Sequence, residues 1–269
     1  MPHADLSVWP PTAASACVVG VDGCVADPAA PPKDWVYAAP AIGFVLSGWF
    51  DYCVEGRSAF AAPGAVVLGN AGEHFQVRHH DADGNRRVFA VFPHGLLEEV
   101  ANAEQLDTAR FPAIAIAPSR GTTRMLGWLR AIKREGSNAE DAAYALAGAA
   151  LRASAAPEKR VSARNRTRVH AAARYIDANF AAPCALQTIS QAAQLSRYEL
   201  VRAFTAVLGQ SPNQYLINTR MRAAAEQLEA THASIAEIAF GVGFNDISYF
   251  YSCFRAAFGC TPLQWRVRH

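Results

Sequence analysis

Two sets of residues in this 269-residue chain have the types and spacing to do chemistry. One is Ser196, Arg197, Tyr198, Val201 and Arg202. If residues 197–208 form a helix with Leu200, Phe204 and Leu208 inward, Arg197, Tyr198, Val201 and Arg202 face out, with Ser196 as the N-cap. A guanidinium fork at such a position fits a phosphate or a guanine edge. A tyrosine there can lie against a thymine methyl or bond a phosphate. The other set is His74, His79 and His80, whose imidazoles suit a metal ion. Strand alternation puts His74 and His80 on one side and His79 on the other. A catalytic site of this type takes three histidines and a carboxylate, and no strand before Pro63 carries a histidine. The expectation is therefore no metal and no cofactor, with His74 and His80 as the candidates if a metal binds. A hairpin end explains them equally well.

The elements that must position the first set repeat near the C-terminus. Phe204, Leu208, Gly209, Ser211, Pro212, Gln214 and Tyr215 return fifty residues later as Phe254, Phe258, Gly259, Thr261, Pro262, Gln264 and Trp265. Ile189-Ser190 returns as Ile238-Ala239 at an interval one shorter. A repeated supersecondary unit implies a repeated job, and two helix–turn–helix units can enter a major groove twice. The pattern predicts helices over 170–180, 185–194, 197–208 and 211–230. It predicts further helices from Ser234, from a cap at Asn245 through Phe258, and from Thr261. Ser196 with Glu199 and Ser234 with Glu237 have the spacing of capping boxes. Tyr249, Phe250, Phe254 and Phe258 are expected to pack. Asp246, Ile247, Ser248, Tyr251 and Ser252 then face outward as the second candidate set.

These residues resemble the AraC/XylS family of bacterial transcription regulators. The resemblance rests on Gly209-x-Ser211-Pro212-x-x-Tyr215-Leu216, Arg220-Met221-x-x-Ala224 and Ile235-x-x-Ile238-Ala239-x-x-Val242-Gly243-Phe244. It continues in Ser248-Tyr249-Phe250 and Phe254-x-x-x-Phe258-Gly259-x-Thr261-Pro262. It covers about the last hundred residues. It implies two helix–turn–helix units reading successive major-groove segments of double-stranded DNA, roughly 34 Å apart. The chain departs from the family pattern at Ser252, where arginine is common, at Ser190, where alanine is usual, and at Gln194, where the turn often has glycine.

Residues 17–92 read as short strands broken by Asp22-Gly23, Glu55-Gly56, Pro63-Gly64 and Gly69 to Gly72, which suggests a sandwich or small barrel. The segment from Ala62 to His74 is similar to the strand–turn–strand of cupin-like AraC sensor domains. Trp35, Tyr37, Phe44, Trp49, Tyr52 and His74 are the candidate effector pocket, and the aromatics among them could equally fill a barrel. Residues 95–104, 119–134 and 138–154 read as helices, the last two as a helical hairpin.

The expected fold is therefore α+β and multidomain. A cupin-like β-barrel with a helical hairpin spans 1–153, a linker 154–167, and an all-α double helix–turn–helix domain 168–269. Up to Ala156 the chain has 12 Lys/Arg against 16 Asp/Glu, and from Pro157 on it has 13 against 7. An acidic front and a basic back suit a sensor joined to a polyanion binder. Six cysteines without C-x-x-C spacing, and no basic region leading an apolar block at the start, point to free thiols in the cytoplasm. Cys24 and Cys53 read as buried thiols more readily than as redox sensors.

The expected function is a non-enzymatic regulator, such as a transcription activator, acting as a homodimer on promoter DNA. The expected partners are a small-molecule effector and RNA polymerase, with no membrane. Two alternatives stay open: a cupin-type metalloenzyme fused to a DNA-binding tail, and an effector-independent regulator whose β-domain only dimerises.

Overall fold

The computed structural model describes residues 7–9, 16–24, 32–79, 84–134, 139–155 and 163–268. His80 and residues 156–162 of the expected linker lie outside them, as does the side chain of Cys24. Contacts divide the chain into two units. Met1–Ala117 with Met125–Glu158 form the first, and Pro118–Arg124 with Lys159–His269 the second. No helix among the described residues is long and apolar enough to cross a membrane.

The first unit begins with strands β1 (Ser7–Trp9), β2 (Val18–Cys24), β3 (Trp35–Tyr37), β4 (Ala41–Ser47) and β5 (Phe50–Val54). Strands β6 (Arg57–Ala61), β7 (Val66–Gly69), β8 (His74–His79) and β9 (Asn85–Val91) follow. Helix α1 (Leu96–Glu104), strand β10 (Ala115–Ile116), α2 (Arg120–Lys133), which belongs to this unit from Met125 on, and α3 (Ala139–Ser154) complete the run. Glu55 and Gly56 both take positive φ, 47° and 75°, so a two-residue turn joins β5 to β6 with the twist a hairpin needs.

The strands form two five-stranded sheets, ordered β1-β3-β8-β5-β6 and β10-β7-β4-β9-β2. Among the described residues no strand pairing joins them, so the expected closed barrel is here a pair of sheets. The switch lies after β4. The ladder with β9 slips between Val45 and Ser47, Gly48 turns at φ 90°, and β5 pairs instead with β8.

Alternation along β4 supplies two cores. Ala41 and Val45 face the other sheet, against Tyr37, Phe50, Tyr52 and Phe75. Ile42 and Phe44 face Leu97, Leu126, Leu129, Leu146 and Leu151 of the helices. The helices thus cover the outer face of the second sheet.

The second unit is helical: α4 (Ala163–Asn179), α5 (Leu186–Ala192), α6 (Arg197–Leu208), α7 (Pro212–Ala230), α8 (Ile235–Gly241), α9 (Ile247–Phe258) and α10 (Pro262–Arg268). Helix α4 opens inside the segment expected as linker. The repeat is physical as well as textual. Gly209 and Gly259 end α6 and α9 at φ 68° and 74°, the left-handed cap that glycine adopts without strain. Ser211 Oγ accepts from the Gln214 amide and Thr261 Oγ1 from the Gln264 amide, both at 3.2 Å. Phe204 meets Tyr215 edge-on at 5.5 Å, as Phe254 meets Trp265 at 5.8 Å.

The two arginines of α7 are structural. Arg220 donates from Nε to the Phe180 carbonyl at 2.8 Å and from Nη2 to the Ala182 carbonyl at 3.1 Å. Arg222 is buried, donates to Thr219 Oγ1 at 2.9 Å and lies over the Tyr215 ring. The Tyr215 hydroxyl in turn donates to Asp177 at 3.0 Å.

The turns of the two helix–turn–helix units differ in strain. Gly243 sits at φ 93°, and its counterpart Gln194 at 52°. A side chain in this region costs about 1–2 kcal/mol, partly offset by the entropy glycine loses on folding. Gln194→Gly is expected to stabilise the protein by about 0.5–1 kcal/mol. Gly243→Ala should destabilise it by about 2–4 kcal/mol, because the new Cβ would stand 2.8 Å from the Phe180 and Ala181 carbonyl oxygens. Urea unfolding of both variants checks the opposite signs, and two shifts in the same direction would refute the strain argument.

Candidate nucleic-acid interface

The N-terminal end of α6 is built by a capping box. Ser196 accepts from the Glu199 amide, and the Glu199 carboxylate accepts from the Ser196 amide at 2.9 Å. Leu200, Ala203, Phe204 and Leu208 are buried. Helical geometry turns Tyr198 and Arg202 away from them and leaves Val201 at the edge, while Arg197, in line with Leu200 and Phe204, is uncovered at the helix's first position. All four are exposed, as is Ser196, and Tyr198 is 70% accessible. The Arg202 guanidinium lies 5.7 Å from the Tyr198 ring centroid, one helical turn away. The structure therefore exposes the whole first candidate set around the first two turns of α6.

The corresponding helix α9 presents a different surface. Asp246, not Asn245, is its N-cap, accepting from the Ser248 amide at 2.7 Å and the Tyr249 amide at 3.1 Å. Its carboxylate is spent on the helix end. Asn245 was the expected cap because its amide is a good one. The chain enters the helix one residue later, where a carboxylate adds favourable charge to the positive helix end. Ile247, Ser248 and Ser252 are exposed, while Tyr251 is half-buried.

Tyr249 corrects a second expectation. Instead of packing it is 51% exposed, with its ring centroid 5.8 Å from that of Phe244. Phe250, one residue on, takes the buried position. Sequence reasoning also passed over Thr205 and Arg255, which are exposed on α6 and α9, and over Arg164 and Arg168 at the start of α4. The four-residue spacing of those two arginines was the available signal, hidden because the segment reads as a polar linker.

Glu199 ties α4 to this surface. The Ser196 side chain and amide hold its carboxyl below the usual carboxylate range, and the charges of Arg168 and Arg164 lower it further. Glu237 in the α8 box is lowered in the same way by Ser234.

A helix–turn–helix domain family matches residues 189–268, which hold both turns and both outward helices. Residues 189–268 carry an AraC-type helix–turn–helix domain. YdeC of Bacillus subtilis (strain 168), an uncharacterized HTH-type transcriptional regulator, is 33% identical over 92 residues, 34% of this chain and 32% of that one. The HTH-type transcriptional regulator ArgR of Pseudomonas aeruginosa is 34% identical over 91 residues, 34% of this chain and 28% of that one. The chain thus spans about a third of the length of these curated relatives. Among solved structures, a transcriptional regulator from Chromobacterium violaceum described as AraC-type and DNA-binding is 29% identical. It covers 40% of this chain and 96% of its own, with a TM-score of 0.38.

Outside the AraC-type domain, the candidate effector residues do not converge. Tyr37 and Tyr52 are buried between the sheets, their hydroxyls bonded to each other and Tyr52 also to the Leu68 carbonyl at 3.0 Å. The Tyr37 ring lies directly on Gly69, with no room for even a Cβ, and stacks on Phe75 at 4.4 Å. Burial pushes the Tyr37 hydroxyl pKa to about 12. Phe44 faces the helices, Trp49 packs on Phe60, and Trp35 stacks on Phe75. His74 is exposed at the start of β8, its amide donating to Glu55. Among the described residues no three His, Cys, Asp or Glu side chains come together as a metal site. Cys53 is half-buried in β5.

A cleft of about 710 Å³ lies between β2 and the first turns of α1 and α3. Cys17, Val19, Leu96, Ile132 and Ala143 make its apolar lining, and His94, Glu99, Lys133, Glu140 and Tyr144 its polar one. Burial pushes the Cys17 thiol to about 12, so it stays protonated at neutral pH.

Proposed function

We propose that this protein is a DNA-binding transcription regulator that uses α6 and α9 as its two reading helices. The observation that carries the reading is the exposed Arg197–Tyr198–Val201–Arg202 face of α6 inside a matched helix–turn–helix domain. In this reading Ser196, Arg197, Tyr198, Val201 and Arg202 contact the first groove segment. Ile247, Ser248, Tyr251 and Ser252 contact the second, and Asp246 holds the helix end. The first face supplies most of the affinity, since it carries two arginines and the second offers none in its first turns. Phosphate contacts make such binding fall steeply with salt. A salt titration against duplexes from upstream of its own gene tests this, and binding that ignores salt would refute it.

The first unit is, on the same proposal, a cupin-like sensor that also pairs two copies of the chain. Two facing sheets with helices on one side support the sensor reading. The aromatic interior is filled, so an effector would enter the cleft at β2, α1 and α3, whose volume suits a small amphipathic molecule. The environment-sensitive dye 1-anilinonaphthalene-8-sulfonate serves as a probe. Its fluorescence gain should drop severalfold in Ala143→Trp, which fills the apolar floor, with the thermal midpoint tracked to ensure the variant stays folded. An undiminished gain in the folded variant would rule out the cleft.

A further inference from the structure

We propose that the first turns of α4 are part of the DNA interface, with Arg164 and Arg168 contacting phosphates beside the first reading helix. This rests on the regulator reading above. Arg164 and Arg168 are one helical turn apart and so share a face of α4. Arg164 is exposed and Arg168 half-exposed. Helix α4 packs against α6, and Val169, Ala172, Ala173 and Ile176 form its buried side, which the two arginines flank. Both guanidinium groups act on the Glu199 carboxylate, which sits in the box that opens α6. The packing of α4 on α6, together with this effect, puts the pair near the start of α6.

Charge decides the occupant. With Arg197 and Arg202, the α4 pair makes four arginines around the start of α6, against the carboxylate of Glu199 alone among the side chains named there. That carboxylate is already engaged with Ser196. One buttressing carboxylate does not neutralise four guanidinium groups, and a row of phosphates does. A phosphate is also the partner that a guanidinium binds through two parallel hydrogen bonds. The segment that reads as a polar linker is then the flank of the binding surface, and its arginines place the domain on the backbone without reading sequence.

The test is the salt dependence of binding by the full chain to a random-sequence duplex and to a fragment from upstream of its own gene. Each phosphate contact contributes about 0.9 to the slope of log K against log salt. Arg164→Ala with Arg168→Ala should lower that slope by about 2 on both duplexes, and the paired lysine variants should restore most of it. Glu199→Gln keeps the capping box, because glutamine also closes it, and removes the carboxylate. The slope loss should persist in that background. A loss that vanishes there, or a slope that does not change, means that the two arginines only buttress Glu199 and overturns the proposal. If the unmodified chain shows no salt-dependent binding at all, the regulator reading itself falls. If it binds and the α4 variants match it, only the inference about α4 falls.

Discussion

Replacing Arg197 and Arg202 together with alanine is expected to weaken DNA binding by about 10²-fold or more. Each well-placed arginine contact to a base is worth about 1–3 kcal/mol, and 1.4 kcal/mol is a factor of about ten. The unfolding midpoint should stay within about 5 °C, because exposed substitutions of this kind change stability by roughly 0.5 kcal/mol or less each. Both side chains are exposed on α6. The interaction of Arg202 with the Tyr198 ring is an exposed cation–π contact, worth about 0.5–1 kcal/mol at most. On α9, Ser252→Ala should change affinity less than about threefold, as a lone hydroxyl offers little. Fluorescence anisotropy at one fixed salt concentration separates these outcomes. Equal affinities for the arginine variant and the unmodified chain would show that α6 does not face the DNA.

Phe254→Ala should cost about 3–5 kcal/mol, the usual range for a fully buried aromatic. Its ring has no accessible surface and meets Phe258 at 4.6 Å and both Phe250 and Trp265 at 5.8 Å. The cluster also holds α10, since Trp265 stacks there and donates from Nε1 to Glu229 at 3.2 Å. Removing the Phe254 ring opens a void that three aromatic neighbours cannot close by small shifts. The second helix–turn–helix should loosen first, with altered tryptophan fluorescence and a lower denaturant midpoint. A loss below about 1 kcal/mol would mean that the aromatic cluster repacks.

These two predictions draw on parts of the molecule that were unequally legible. The helices around Phe204 and Phe254, the Gly209 and Gly259 caps and the Ser196 and Ser234 boxes could be read from spacing alone. Each is a local device, decided by residues within one or two turns. Tyr249 was misjudged because two adjacent aromatics at a helix start leave open which one faces in. Only the packing of α9 on α7 and α8 chose Phe250. The same limit hid the start of α4. Its polar, arginine-rich first turns carry no apolar stripe until Val169, so periodicity could not see a helix that tertiary packing extends.

In the first unit the short strands and the turn at Glu55-Gly56 were legible in the sequence. Which strand pairs with which was not, because pairing is set by contacts far apart in sequence and by the twist and bulges that steer each strand. That is why the aromatic set could be named and yet not placed. Tyr37 and Tyr52 meet in one core, Phe44 faces another, and His74 lies at the surface. The sequence by itself determined the helix–turn–helix repeat, its caps and the outward chemistry of α6, since those depend on helical periodicity and neighbouring residues. Only the tertiary structure decided the two-sheet arrangement, the filled aromatic interior, the cleft beside β2 and the placing of Arg164 and Arg168 next to α6, since each arises where surfaces remote in the chain are brought into contact.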